Sequence, residues 1–342
     1  MSGVLFSITP YISPESAYIF QLLTPFGIPF YLLFILLLVI VLWLRMWKTV
    51  IVVSLYLLIN IVDTFTFLPI DRSNETDDLP GLSVLSYNVS FFKSTQFNPL
   101  HKVNSIEKSK SHAIQQTILD LNADVICLQE YYQDDNVNIY QLDKKLGSSY
   151  DHYFLTRPSY EKGRSGGISI FSRYPIIEQG IVLVDSTNRF NGVAFVDIRF
   201  NNDTIRIINA HLHSMQIRTD KVFSVPGLVR TFQSLKRGSI FRHKQIEVLT
   251  EFIRNSPHKV ILAGDLNELS NSYNYHQIAR LLNDAFMEAG NGLGYTLNKT
   301  RWSLYRIDYQ FYSDGLVSER FEIPRDNRIS DHFPTYAVYR VK

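Results

Sequence analysis

Apolar and polar positions divide this chain into two unlike parts. From Met1 to Leu44 the one charged residue is Glu15, and Phe26 to Leu44 is apolar almost without interruption. About 19 such residues match the roughly 30 Å hydrocarbon core of a bilayer. A helix of a soluble domain keeps a polar stripe, so a transmembrane helix is expected over 26–44 rather than a buried core helix. A basic hinge, Arg45 and Lys48, leads into a second apolar segment over 49–68, interrupted by Ser54, Asn60 and Asp63. The expectation is a transmembrane hairpin over 26–68. Residues 1–25, apolar but broken by Pro10 and Pro14, are expected to be interfacial or disordered, and the polar, acidic stretch 69–81 reads as a linker. The basic hinge and the acidic flank after the second segment place the hinge in the cytoplasm by the positive-inside rule. The N-terminus and the large C-terminal part then lie outside, as an extracytoplasmic domain of an integral membrane protein. A cleaved signal peptide fits less well, because no basic n-region precedes the apolar run.

From residue 82 to 342 the pattern changes to short apolar runs of strand length with a few helical periods between them. Leu82 to Tyr87, Asp124 to Glu130, Gly166 to Ser172, Val193 to Phe200, Thr204 to Ala210, Val260 to Gly264, Ile307 to Tyr312 and Thr335 to Val341 read as strands. Ile106 to Leu121, Gln245 to Arg254 and Tyr275 to Leu282 read as helices. Many strands with a few interposed helices indicate a mixed α/β sandwich of two sheets packed face to face. No internal repeat or low-complexity segment is present.

Composition adds two constraints. Three of the 34 basic and six of the 32 acidic residues fall before residue 81, which leaves the C-terminal part a net charge of about +5. A mildly basic domain suits an anionic substrate or surface. The single cysteine, Cys127, excludes a disulfide framework and a thiolate metal site.

The chemistry lies where the strands end. Asn88, Glu130, His211 with His213, Asp265 with Asn267, Asp308, and Asp331 with His332 stand at or beside strand termini. One polar residue at such a place is a cap or a turn; six groups of acid–base or metal-ligating type on a rigid scaffold make a site. Asp265 and Asn267 are two apart, so in an extended strand both side chains face one way. Glu130, Asp331 and Asn88 are hard oxygen donors, which suit Mg²⁺ and then Mn²⁺. With no HExxH and no usable cysteine, zinc is the lesser option. His211 and His213 could form a metal pair on one strand face, or His211 alone could contact a phosphate oxygen. No GxxxxGK[ST] or GxSxG motif is present.

The ordered series Tyr-Asn88, Leu-Gln-Glu130, Ala-His211-Leu, Gly-Asp265-Leu-Asn267, Arg-Ile-Asp308-Tyr and Ser-Asp331-His332 resembles the endonuclease/exonuclease/phosphatase superfamily. That is the fold of pancreatic-type deoxyribonuclease, apurinic endonuclease, inositol polyphosphate 5-phosphatase and neutral sphingomyelinase. The N-terminal helical region resembles that of membrane-anchored bacterial members. The resemblance covers nearly all of 82–342. It implies a four-layer sandwich, two mixed β-sheets flanked by helices, and a divalent-metal phosphodiesterase or phosphatase. It also implies Glu130 as principal Mg²⁺ ligand with Asn88 and Asp331 at or near the coordination shell. Asp265 then serves as base or orienter of the attacking water, Asn267 holds water or phosphate, His211 contacts phosphate, and His332, paired with Asp308, donates to it.

The stretch Lys221 to Lys244 carries six basic residues, no acid, and Phe223, Phe232 and Phe241. One reading is a solvated loop and helix start; the other is a basic, aromatic lid that meets nucleic acid backbone or an anionic lipid surface through Lys236, Arg237 and Arg242. Arg164 and Asn191 are expected at the cleft. The partners expected are a phosphate-ester substrate, nucleic acid or phospholipid, and the membrane; no obligate protein partner is inferred. The alternative from another class is a catalytically silent, membrane-tethered phosphate- or lipid-binding module.

Overall fold

The structure, a computed structural model, describes residues 8–64, 81–93, 104–135, 137–157, 163–185, 190–214, 225–299 and 304–342. Two six-stranded sheets carry the C-terminal part. The first has the order β11-β12-β1-β2-β4-β3, the second β5-β6-β7-β8-β10-β9. The strands are β1 Leu82–Asn88, β2 Val125–Asp134, β3 Asp151–Arg157, β4 Arg164–Ser172, β5 Ile176–Val184, β6 Gly192–Phe200, β7 Asp203–His211, β8 Lys259–Asp265, β9 Asn283–Asp284, β10 Asp308–Tyr312, β11 Leu316–Glu322 and β12 Thr335–Val341. Each sheet is mixed. β1 and β2 pair in parallel, as do β7 and β8; the other pairs are antiparallel.

Period-two alternation builds the layers. In β1, Leu82 and Val84 join the core between the sheets, while Leu85 and Tyr87 face outward. In β8, Ile261 and Ala263 point inward, and Val260 and Leu262 point out. The outer faces are covered by helices. Ile114 and Ile118 of the helix Ser105–Leu121 pack on the first sheet, and Ile246, Leu249 and Ile253 of the helix Val225–Arg254 pack on the second. The expected sandwich of two mixed sheets flanked by helices is what the chain forms. Polar side chains cross the central core as well. Gln129 Nε2 donates to Asn209 Oδ1 at 2.7 Å, and Asn209 Nδ2 donates to the carbonyls of Leu128 and Ser169 at 3.0 Å each. Both amide nitrogens are thus satisfied across the sheets, while Gln129 Oε1 has no hydrogen-bond partner among the described residues.

The N-terminal part departs from expectation. No helix among the described residues is long and apolar enough to cross a membrane. The helix Gly27–Trp43 has 17 residues, about 26 Å at 1.5 Å per residue and short of the roughly 30 Å required. Its neighbour, Trp47–Thr64, has 18 residues but contains Lys48, Asn60 and Asp63. The transmembrane helices expected over 26–44 and 49–68 are corrected to an apolar helical hairpin. Nor are residues 9–26 an irregular tail. Thr9–Tyr11, Pro14–Gln21 and Thr24–Phe26 are short helices, and they dock on the sandwich rather than stand apart from it. The linker expected over 69–81 lies, but for Gly81, outside the described residues.

Candidate active site

Register alone brings the site together. In the second sheet His211 pairs with Asp265 across the parallel β7–β8 ladder, and Asp265 pairs with Asp308 across the antiparallel β8–β10 ladder. Cross-strand partners point to the same face of a sheet, so the three side chains form one row. Asn88 and Glu130 close the facing edge at the ends of β1 and within β2. The β7–β8 contact requires a glycine before Asp265. Gly264 has φ +146°, and a Cβ there would sit 2.0 Å from the Ala210 carbonyl oxygen.

Asp265 Oδ2 is the focus. Asn88 Nδ2 donates to it at 3.0 Å, and the Nε2 atoms of His211 and His332 each lie 3.7 Å away. His211 Nδ1 donates to the Phe190 carbonyl at 3.2 Å, which turns Nε2 inward, also 3.8 Å from Glu130 Oε1. His332 Nδ1 lies 3.0 and 2.9 Å from the two oxygens of Asp308. Burial opposes charge on this imidazole, yet Asp308, then Asp265, hold it protonated, with the pKa pushed up to about 10. Burial pushes the Asp265 carboxyl up; His332 acts against the rise, and Asp308 reinforces it.

Glu130 stands at a backbone irregularity. The β2–β4 register shifts between Leu128 and Tyr131, and Glu130 takes φ +48°. A bulge re-aims a side chain out of the strand's alternation, and here it presents Glu130 at the cleft with 26 % of its side chain exposed. Burial of the carboxyl raises its pKa; His211 opposes this, and the charges of Asp331 and Asp265 add to it. Asp331 is different. Although burial works the other way, His332 and Lys93 hold its carboxyl well below the usual range, and Lys93 Nζ lies 3.0 Å from Asp331 Oδ1.

The donor set fits a divalent cation. Glu130 and Asp265 are carboxyls whose ionisation is disfavoured by burial and by neighbouring carboxylates, a negative cluster that a hard cation would relieve. Asn88 Oδ1 accepts from Ser90 N at 3.0 Å, so its oxygen is already oriented. Asp265, Asp308 and His332 also bring potential ligand atoms within 4.8 Å of one another. That trio is better read as a relay, because both Asp308 oxygens engage the His332 ring.

Several expected roles change on inspection. Asn267 does not continue the strand: φ is +50°, its backbone N–H donates to Asp265 Oδ1 at 2.9 Å, and its side-chain amide donates to the Leu212 carbonyl at 3.1 Å. The i, i+2 geometry expected for Asp265 and Asn267 is therefore corrected: the strand ends at Asp265, and Asn267 braces the turn. His213 makes no metal pair with His211; its Nδ1 lies 3.0 Å from Asp185 Oδ2, and its ring stacks on Phe241. Arg242 is not a substrate-facing cation. It is buried, with Nε donating to Glu268 Oε1 at 2.6 Å and Nη1 to the His213 carbonyl at 3.0 Å. Lys236 Nζ sits 4.1 Å over the Tyr18 ring, and Arg237 is exposed on the same helix. The basic stretch is thus largely helix, Val225–Arg254, while Lys221 and Phe223 lie outside the described residues. Asn191 is buried beside Asp185, with 3.5 Å between Nδ2 and Oδ2. Arg164 opens β4, and its side chain lies outside the described residues.

Sequence reasoning missed Lys93. It belongs to Ser90–Lys93, whose four residues all have positive φ. Only the short distance from Asn88 could have drawn attention to it.

Endonuclease/Exonuclease/phosphatase family residues match this chain over 85–332. The chain belongs to that family. It is accordingly a hydrolase acting on phosphoester bonds. No curated protein matches the chain. Among solved structures, an endonuclease/exonuclease/phosphatase from Beutenbergia cavernae DSM 12333 is similar at a TM-score of 0.53 and 16 % identity, covering 77 % of this chain and 72 % of that one. D. rerio TDP2 complexed with single strand DNA product is similar at 0.53 and 19 %, covering 76 % and 99 %. The human Nocturnin catalytic domain with bound sulfate anion is similar at 0.51 and 19 %, covering 78 % and 97 %. At these identities the likeness is one of fold.

Proposed function

We propose that this family member is a Mg²⁺-dependent phosphodiesterase that directs water at phosphorus. The observation that carries the reading is the convergence of Asn88, His211 and His332 on Asp265 Oδ2. A carboxylate gripped in this way and partly desolvated is a good acceptor for the proton of an attacking water. Asn88 fixes its orientation. His332, kept cationic by Asp308, donates its Nε2 proton in a hydrogen bond to a phosphate oxygen as negative charge builds there. His211 supplies a second ring nitrogen on the same side. Glu130, with Asn88 and Asp331, would hold the cation, whose chemistry is to offset charge on the phosphate oxygens. Mn²⁺ would serve the same oxygen donors.

The test is hydrolysis of bis-p-nitrophenyl phosphate by the full chain with Mg²⁺, with chelator, and in two variants. Asp265→Ala and His332→Ala are each expected to lower kcat by about 10²–10⁴-fold, and chelation should abolish turnover until Mg²⁺ is restored. Turnover indifferent to chelator and to both substitutions would sink the reading.

A further inference from the structure

Glu130 reaches the cleft because β2 breaks its alternation, and the break is held from the other sheet. Leu128 pairs with Ser169 across β2–β4, and the next pair is Tyr131 with Gly167, so Gln129 and Glu130 stand opposite Ile168 alone. A strand with one residue more than its neighbour must be fixed at that point. Otherwise the ladder slips by one and the later side chains change face. Asn209 stands there. On β7, Ile205 and Ile207 face the central core, and the same face carries Asn209 and then His211. The Asn209 side chain, fully buried, meets β2 and β4 from across the sandwich. Its Nδ2 donates to the carbonyls of Leu128 and Ser169 at 3.0 Å each, the last pair before the shift, and its Oδ1 accepts from Gln129 Nε2 at 2.7 Å.

Stability alone does not account for these two amides. Gln129 Nε2 has three acceptors in reach for two hydrogens: Asn209 Oδ1, Ser86 Oγ at 3.1 Å and the Cys127 carbonyl at 3.3 Å. Gln129 Oε1 has no partner among the described residues. A buried acceptor without a donor costs stability, and an apolar pair at 129 and 209 would avoid that cost. Conflicts of this kind persist where function needs them. The function stands next door. Glu130 follows Gln129, and His211, two residues after Asn209, has its Nε2 3.8 Å from Glu130 Oε1. One strand of the second sheet therefore carries both a histidine of the site and the amide beside the glutamate of the first sheet.

We infer that Asn209, with Gln129, is a positioning residue for Glu130: its amide holds the β2 bulge open across the sandwich and so sets where the glutamate offers its carboxylate to a divalent cation. This rests on the metal-dependent reading of the site and adds the device that couples its two halves. Asn209 itself touches no reacting atom.

Full-chain variants are compared by Mn²⁺ affinity without substrate, read from the EPR signal of the free ion, by thermal melting, and by hydrolysis of bis-p-nitrophenyl phosphate. Asn209→Leu removes the amide at similar volume. Gln129→Met with Asn209→Leu also removes the unpartnered Oε1, and should melt above the single variant. Arg206→Met is the control: it breaks the buried Arg206–Asp197 pair on the outer face of the same strand. Both Asn209 variants should weaken Mn²⁺ binding about tenfold or more and lower kcat/KM in step at sub-saturating Mn²⁺. Arg206→Met should melt below the wild-type chain, yet keep its Mn²⁺ affinity within about twofold. Should Asn209→Leu not fold, the apolar pair decides. Wild-type Mn²⁺ affinity in a folded Asn209 variant, or an equal loss of affinity in Arg206→Met, overturns the inference alone. So does failure of both Asn209 variants to fold, which would make the amide a folding residue. A wild-type chain that binds no Mn²⁺ and turns over unchanged with chelator overturns the metal-dependent reading beneath, and the inference with it.

Discussion

Asp308 shows how one side chain sets the charge of another. Both its oxygens face His332 Nδ1, and the buried imidazole is held up to about 10 as a result. A folded pKa raised above the ordinary 6.5 means that protonation stabilises the native state. This stability is fully present below the unfolded value and is lost as pH rises through about 10. Asp308→Asn removes the charge and should bring the His332 ring down toward the ordinary value, read from its Cε1–H NMR shift in metal-free protein. The same substitution should flatten the fall in melting temperature between pH 7 and 10. A ring that still titrates near 10 would remove Asp308 from its role. The two residues were legible in sequence because each sits beside a strand end, and their pairing was what the family resemblance implied. Lys93 was not, since a lysine after a strand looks like any solvated residue until the positive-φ segment Ser90–Lys93 carries it back to Asp331.

Among the elements, those with a strong period were readable. Ser105–Leu121 begins where Asn104 and Glu107 form a capping box, a local signal written in adjacent residues. β8 is a continuous apolar run between two polar loops. β3, β5 and β11 were not singled out: β3 and β5 end their sheets at the edge, and the β5 burial pattern is mostly exposed or half-buried, so the apolar contrast that marks a strand is weak. The long helix Val225–Arg254 was read only from residue 245, because its basic first half looks like surface. Arg242 explains part of its order. Its guanidinium meets Glu268 at 2.6 Å with both side chains buried, which ties the helix to the catalytic loop. Arg242→Ala leaves the buried Glu268 with no cation, only the Asn274 amide at 2.7 Å, and should cost about 3–5 kcal/mol in denaturant unfolding. Arg242→Met with Glu268→Leu should recover most of it. If the single variant is as stable as wild type, the pair contributes nothing to fastening the loop.

At the scale of the molecule, the sandwich and the docked N-terminal segment are separable in energy but not in geometry. The three large apolar clusters draw every member from residues 82–342. What the preceding segment adds includes the Asn271–Thr24, Tyr305–Pro25 and Tyr273–Gln21 hydrogen bonds, the Lys236–Tyr18 contact and the Tyr18–Phe232 ring pair. No periodicity could have revealed contacts that join residues some 250 positions apart, which is why this segment was expected to be loose. Each hydrogen bond is worth about 1 kcal/mol and an exposed cation–π contact about 0.5–1 kcal/mol. A chain beginning at Gly81 should therefore fold cooperatively and lose about 2–3 kcal/mol, lowering its melting temperature by about 5–10 °C. Scanning calorimetry of the two lengths decides the matter. A single sharp transition at the reduced temperature supports a self-sufficient sandwich. A broad or absent transition would mean that the loops after β8 and before β10 need the docked segment to complete the fold, and that the site's geometry is held from outside the sheets that supply its side chains.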